Sequence, residues 1–470
     1  MSEVDTLAAG TPNPDREYRV DYLTRVEGEG SLVLRVRDGQ VVEARLKIFE
    51  APRYFERLVV GRDADEVVDI VARICGICPI AYQMTAVHAF EDLYGAEVAP
   101  AVRELRRLLY CGEYIQSHAL HVFMLHAPDF LGYPSVVAMA GDHRRIVEQG
   151  LAIKKIGNQL ISVLGGRPVH PVSVRVGGFS RVPRRRDLDT VRVDLDRAVE
   201  IARATVELVA SWTPPALGHA QPLVALRHRA EYPYNHGRIV STDGLDLAPG
   251  DWGEAFAEQQ VEGTNALHAR TRDGGVYLLG PTARVTLDAD HLHPLAAEAL
   301  AATGLQQEIR VNIHRSIVAR AVELLGACAE ARDLIDGYRA PAEPRVPFVP
   351  RAGVAAWSTE APRGLLHHRY EVDGSGRVSA AQIVPPTSQN QGAIEADLVA
   401  FAPNVIDRPR AEATQQLEML VRAYDPCISC ATHFLDVRII EQGAADGRLD
   451  DGSRAWRSAI GKRSPSAAES

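Results

Sequence analysis

Asp425-Pro-Cys-Ile-Ser-Cys-Ala-Thr-His433 is the stretch on which the reading of this chain turns. Two thiols stand three residues apart with an acid before them and a histidine after them. A second pair lies near the other end, in Arg73-Ile-Cys-Gly-Ile-Cys-Pro79. On a helical turn residues i and i+3 share a face, so Cys75 with Cys78, and Cys427 with Cys430, can each chelate one metal ion. Four soft thiolates suit zinc, iron or another thiophilic metal. A single such pair also fits a thioredoxin-like redox site. The bland alternative for both is a structural tetrathiolate zinc site, but zinc-ribbon pairs usually lie about 15–20 residues apart. Here most of the chain separates them.

Composition bounds the rest. The 470 residues are 46% hydrophobic and 24% charged, ordinary soluble-globular usage with ample material for a buried core. A formal charge of -9 argues against a nucleic-acid partner, which needs a basic face. No run reaches the roughly 18 apolar residues of a membrane span, and the start, MSEVDTLAAG, lacks a signal-peptide pattern. Six cysteines in so long a chain do not read as a disulfide framework, so a reducing cytoplasm is expected.

Along the chain, a polar leader to about residue 16 precedes SLVLRVRDGQVVEARLKIF (31–49), which alternates in period two around Asp-Gly and reads as a β-hairpin. HHRYEVDGSGRVSAAQIV (367–384) suggests a second. From Ala101 to Leu125 the apolar positions Val102, Leu105, Leu108, Leu109, Ile115, Val122 and Phe123 keep a 3.6 period. Similar helical patterns cover about 187–212, 305–338 and 408–424. TPPALGHAQPL (213–223) and APAEPRVPFVPRAG (340–353) read as packed loops. The expected fold is mainly α with small β elements (α+β), one large multihelical domain over 1–433 and an extension over 434–470. Gly28-Glu29-Gly30 and Gly374-Ser375-Gly376 both lead into strand-like sequence, whereas a dinucleotide-binding loop must open a helix.

RxCGxC near one end with DPCxxCxxH near the other resembles the large subunit of nickel-iron hydrogenases. The resemblance runs from about Arg25 to His433 and extends to TRVEGEG (24–30), PRYFE (52–56), EAPRG (360–364) and VPPTSQN (384–390). CGICPIAYQM and DPCISCATH look most like the cytoplasmic, NAD(P)-linked and sulfur-reducing branch. The resemblance implies that Cys75 and Cys427 are terminal nickel ligands, while Cys78 and Cys430 also bridge to an iron carrying cyanide and carbon monoxide. It implies heterolytic cleavage of H2, with Cys427 as the leading base and Arg363 as its rival. Glu27 matches the family's proton-relay glutamate; on sequence alone it reads as an exposed turn acid. Glu56 and His433 match the holders of a magnesium or related dication, though each also passes for a surface residue. Arg363 resembles the arginine beside the iron cyanides, Asp425 the acid that positions it, and Thr387 and Ser388 the hydroxyls offered to a cyanide nitrogen. An ordinary turn and a Ser/Thr loop are the plain alternatives.

The chain departs from the pattern at Tyr82, where many relatives have histidine; a phenol donates one bond but does not titrate near neutrality. Cys111 and Cys328 sit on helical patterns and read as core thiols. With no further cluster motif, electrons have to leave through partners. The resemblance implies an iron-sulfur small subunit, flavin and NAD(P)-binding subunits, and a maturation protease that removes 434–470 after His433; a retained tail is the other possibility. The competing functions are a hydrogen sensor, a degenerate scaffold of the same fold, and the structural zinc protein.

Overall fold

The computed structural model describes residues 16–37, 40–51 and 54–432. The expected Asp38-Gly39 turn, Pro52-Arg53, His433 and the extension 434–470 lie outside the described residues.

Helices dominate, and small sheets are set among them, as the apolar periodicities lead one to expect. Helix Pro100–Ala119 packs along helices Arg144–Gly165 and Ser316–Asp336, and the latter lies against Arg185–Ala210. Close approach of the first pair needs glycine: a Cβ on Gly157 would lie 2.8 Å from Gly112 O and 2.7 Å from Gln116 N. The helical pattern expected over 101–125 continues past Ala119 as a π-helical turn, Leu120–His126. The one expected over 305–338 breaks into Gln306–Val311, a 3-10 turn at Ile313–Arg315, and Ser316–Asp336. Asn312, with φ -132° and ψ 105°, is the extended break.

Both expected hairpins are present, and each gains a strand. Gly30–Arg37 pairs antiparallel with Gln40–Ile48 and also with Arg16–Val20. Gly364–Val372 pairs with Val378–Val384 and, on its other side, with Gly353–Ala361. Two small β elements is therefore too few: five sheets of two or three strands occur among the described residues. Most of the extra strands are five residues or shorter, and the nine-residue Gly353–Ala361 (GVAAWSTEA) does not alternate apolar with polar, so none carries the period-two run that marks a half-buried strand. The segments 213–223 and 340–352 form neither helix nor regular strand, as expected. Gly30 and Gly376 both lead into strands, which leaves no glycine-rich helix start there.

Helix Pro79–Tyr94 follows directly on the first cysteine pair. It is buried on nearly every side, including Gln83, Thr85 and Glu91, so its sequence carries no clean apolar stripe. Helix Pro386–Phe401 is equally buried and replaces the Ser/Thr loop considered for residues 387 and 388.

Candidate metal centre

The two cysteine pairs, remote in sequence, meet. Sγ of Cys75 lies 2.8 Å from Sγ of Cys78 and 3.6 Å from Sγ of Cys427, which is 2.7 Å from Sγ of Cys430. All four sulfurs fall within 4.8 Å of one another, and all four residues are buried. They are the only such group of potential metal ligands among the described residues. Cys111 and Cys328 stand apart as free, buried helix thiols whose protons burial holds tightly.

Backbone architecture explains the convergence. Cys78 occupies the N-cap position of Pro79–Tyr94, and Cys427 N–H donates to Oγ1 of Thr387 at the start of Pro386–Phe401, at 2.9 Å. Two helix N-termini, with their partial positive charge, thus face a sulfur cluster that is negative when ionised. Asp425 takes φ +55°, a strained value for a non-glycine residue, and so turns the chain into the second pair. Glu27 and Cys427 form a parallel β-bridge, and Ile428 N–H donates to Glu27 O at 2.9 Å. Behind this junction the carboxylate of Asp129 takes a two-pronged hydrogen bond from Arg422, both at 2.8 Å, and Arg422 also reaches Thr24 O at 3.2 Å. That buried pair ties the loop carrying Glu27 to the helix end before Asp425.

Glu113 anchors the first pair. Its carboxylate accepts Ile80 N–H at 2.6 Å and Ala81 N–H at 3.2 Å, capping the buried helix from outside. Sequence reading passed over it. Its signal was available, since residue 113 falls in register with Leu105 and Leu109 on the apolar stripe.

Burial raises all four thiol pKa values. At Cys75 the hydrogen bonds from the other three thiols, with Arg363, outweigh burial and hold it well below the ordinary thiol value; Cys78, Cys427 and Cys430 stay raised. Burial thus works against four ionised sulfurs in the absence of a cation. A soft metal cation would let all four ionise together.

The remaining residues surround this cluster unevenly. Glu27 Oε2 lies 3.1 Å from Cys427 Sγ. Arg363 sits on the two-residue turn between the strands Gly353–Ala361 and Gly364–Val372, which the Pro-Arg-Gly reading anticipated. It donates from Nε to Asp425 O at 2.8 Å and from Nη2 to Asp425 Oδ1 at 3.1 Å, leaving a buried Nη1 unpartnered. Burial opposes its charge, but Asp425 and the cysteine sulfurs hold it well above the ordinary guanidinium value. Arg320, also buried, lies 4.0 Å from Oδ2 of Asp425. Ser388 Oγ and Tyr82 Oη are fully buried and make no hydrogen bond. Tyr82 lies within electrostatic reach of all four sulfurs, and an orphaned donor there fits an acceptor group on a bound cofactor, since buried polar groups otherwise find partners; Ser388 directly follows Thr387, which binds the Cys427 amide. Glu56 lies apart from the sulfurs in this set and accepts Ile383 N–H at 2.7 Å. Its expected relation to His433 falls outside the described residues.

The profile of the nickel-dependent hydrogenase family matches residues 53–147 and 274–433. The chain is 33% identical to the sulfhydrogenase 2 subunit alpha of Pyrococcus furiosus, over 88% of this chain and 98% of that protein. It is 27% identical to the NAD-reducing hydrogenase HoxS subunit beta of Cupriavidus necator, over 93% and 99% respectively. Among solved structures, it superposes on an NAD+-reducing [NiFe]-hydrogenase in the H2-reduced state with a TM-score of 0.79 at 27% identity, covering 90% of this chain and 100% of that one. The fold is shared also by a [NiFeSe] hydrogenase from Desulfovibrio vulgaris Hildenborough, with a TM-score of 0.75. With four converging cysteines at its centre, the chain belongs to the nickel-dependent hydrogenase family.

Proposed function

We propose that this chain is the catalytic subunit of a nickel-iron hydrogenase that reversibly cleaves H2 into protons and electrons. The observation that carries this reading is the convergence of four buried cysteines from two ends of the chain. Cys75 and Cys427 would hold nickel as terminal ligands, with Cys78 and Cys430 shared with an iron that carries carbon monoxide and cyanide. When bound, the centre supplies a Lewis-acidic, redox-active place where H2 is polarised.

The chain's own residues do the rest. The Cys427 sulfur takes the proton and passes it to Glu27 Oε2, 3.1 Å away. Arg363, fixed by Asp425, keeps positive charge over the anionic cluster and has its unpartnered Nη1 to offer a cyanide nitrogen. Ser388 Oγ is the second such donor. Thr387 holds the Cys427 amide, so its role is to set the position of that ligand, with its own proton left to donate. Tyr82 places a phenol where many members of the family would have histidine. Glu56 with His433 would hold magnesium or a similar dication.

Electrons would pass to an iron-sulfur small subunit and on, through flavin and NAD(P)-binding partners, to NAD(P). Likeness to two NAD-reducing hydrogenases, the Cupriavidus relative and the superposed structure, supports this coupling. A cytoplasmic site, where the NAD(P) pool is, belongs to the same reading; no helix among the described residues is long and apolar enough to cross a membrane. Residues 434–470 would be removed by a maturation protease after His433, which mass spectrometry of the mature subunit decides.

Infrared spectroscopy of the purified complex, with metal analysis, tests the whole. Bands of metal-bound carbon monoxide and cyanide with nickel and iron are expected. Zinc alone would establish the structural tetrathiolate instead, and intact bands without hydrogen uptake would leave a sensor or scaffold.

A further inference from the structure

Three side chains close the helix that runs into Asp425. Arg410–Ala423 ends with Tyr424 as its C-cap, and the last carbonyls of a helix have no partner within it. Here each finds one in turn. Arg422 O accepts from His121 Nε2 at 2.8 Å, Ala423 O from Ser316 Oγ at 2.6 Å, and Tyr424 O from Arg320 Nη2 at 3.1 Å. All three donors are buried. A carbonyl only accepts, so the His121 proton sits on Nε2, and burial pushes the ring's pKa well below its ordinary value and keeps it neutral. His121 lies in the π-helical turn Leu120–His126, whereas Ser316 and Arg320 lie one turn apart on Ser316–Asp336. Tyr424 is pinned a second time: its hydroxyl donates to Oδ2 of the buried Asp397 at 2.5 Å.

The residue that follows is Asp425 at φ +55°, a position where helices usually place glycine. A side chain there is strained, and such a conformation persists only when its surroundings over-determine it. The caps fix the three peptide groups before Asp425, and Asp425 N–H itself closes back on Arg422 O at 2.9 Å. Asp425 in turn offers a carbonyl and a carboxylate oxygen, and both are taken by Arg363. Arg320 acts twice, because its Nε also lies 4.0 Å from Oδ2, the oxygen that Arg363 leaves free. We propose that His121, Ser316 and Arg320 are positioning residues of the metal centre, which hold Asp425 in its left-handed turn and through it aim Nη1 of Arg363. The inference rests on the reading of Arg363 as a donor to the cofactor. With a cap removed, a buried carbonyl loses a donor and the strained turn loses a constraint, so the guanidinium swings with Asp425.

The test uses the assembled enzyme carrying Ser316→Ala, Ser316→Thr, His121→Leu or His121→Gln. The readouts are the carbon monoxide and cyanide infrared bands, hydrogen-uptake rate, nickel content and thermal midpoint. In Ser316→Ala and His121→Leu we expect nickel still bound, shifted cyanide bands and uptake about tenfold down. Threonine at 316 and glutamine at 121 keep a donor, and should bring bands and rate back toward the parent. Unshifted bands in both cap-less variants, however far the midpoint falls, would reduce the caps to support of the fold and overturn the proposal. Should one of the two fail to load nickel, the other decides; failure of both would place the caps in assembly of the centre, which overturns the proposal as well. Arg363→Lys separates this inference from the reading beneath it. Bands that move there but in neither cap-less variant sink only the caps, whereas bands that Arg363→Lys leaves unmoved sink the reading of the arginine.

Discussion

Glu27 and Cys427 meet twice: their backbones pair as a parallel β-bridge, and their side chains lie 3.1 Å apart, Oε2 to Sγ. The backbone pairing fixes the separation of the side chains without calling on either. Replacing Glu27 by Gln should therefore leave the loop, the four sulfurs and the metal content in place while removing the proton acceptor. Isotope exchange between D2 and water should fall by about 10² or more. Nickel analysis alongside mass-spectrometric exchange checks both halves, and exchange at the parental rate would remove Glu27 from the relay.

Arg363 presents a planar fork, one arm to the carbonyl of Asp425 and one to its carboxylate, with Nη1 left over. Lysine keeps the charge and loses the fork. Asp425, held at φ +55°, would lose its two-point partner. In Arg363→Lys hydrogen uptake should drop by about 10² with nickel still bound, and the cyanide infrared bands should shift, because the donor beside the cofactor has moved. Unshifted bands with reduced uptake would place the arginine away from the cyanides.

Gly28 has positive φ and no room for a methyl group. In Gly28→Ala the new Cβ would press on Glu50 Oε2, on Ile428 Cβ and on Ser429 N, all within 2.8 Å. Backbone strain there costs about 1–3 kcal/mol, and the contact with Ile428 adds to it. The strain falls on the segment that sets Cys427 against Glu27, so lower nickel occupancy and a lower thermal midpoint are expected together. Full occupancy with an unchanged midpoint would mean the loop yields at no cost.

How much of this was legible in the sequence depends on which interactions are local. Cys75 with Cys78, and Cys427 with Cys430, announce themselves by spacing, and the hairpins by alternation around their turns. Arg363 could be placed on a turn from Pro-Arg-Gly alone. Glu50 and Ser429 gave no signal, because the 2.7 Å hydrogen bond from the Ser429 hydroxyl to Glu50 Oε2 rests on a sheet, a glycine at positive φ and a chain crossing nearly 400 residues later. Helices Pro79–Tyr94 and Pro386–Phe401 were missed for the opposite reason: they are buried all round, and a helix with no wet face has no stripe to read. The roles of the cysteines came from family resemblance; spacing alone left zinc and redox pairs open.

The turn that carries Arg363 is itself held by a buried charge cluster, and this gives the stability a definite pH dependence. Arg284 donates from Nε and Nη2 to the two oxygens of Glu323, at 2.6 and 2.8 Å, and from Nη1 to Glu360 Oε2 at 2.8 Å. It also holds the carbonyls of Ala361 and Pro362, each at 2.9 Å. Burial pushes Glu360 up to about 7 against the pull of Arg284. At Glu323 burial also pushes upward, but Arg284 and His118 prevail and hold it at about 2. Glu360, raised in the folded state, contributes stability that is full below its unfolded value of 4.5 and is lost as pH rises through about 7. Glu323, lowered, contributes stability that is present above 4.5 and lost as pH falls through about 2. Urea midpoints of the parent relative to Glu360→Gln should thus decline from pH 4.5 upward and level off above about 7. Parallel profiles would show that Glu360 does not titrate in that window. Arg284→Met, which leaves two buried acids without their cation, should cost about 3–5 kcal/mol near neutral pH.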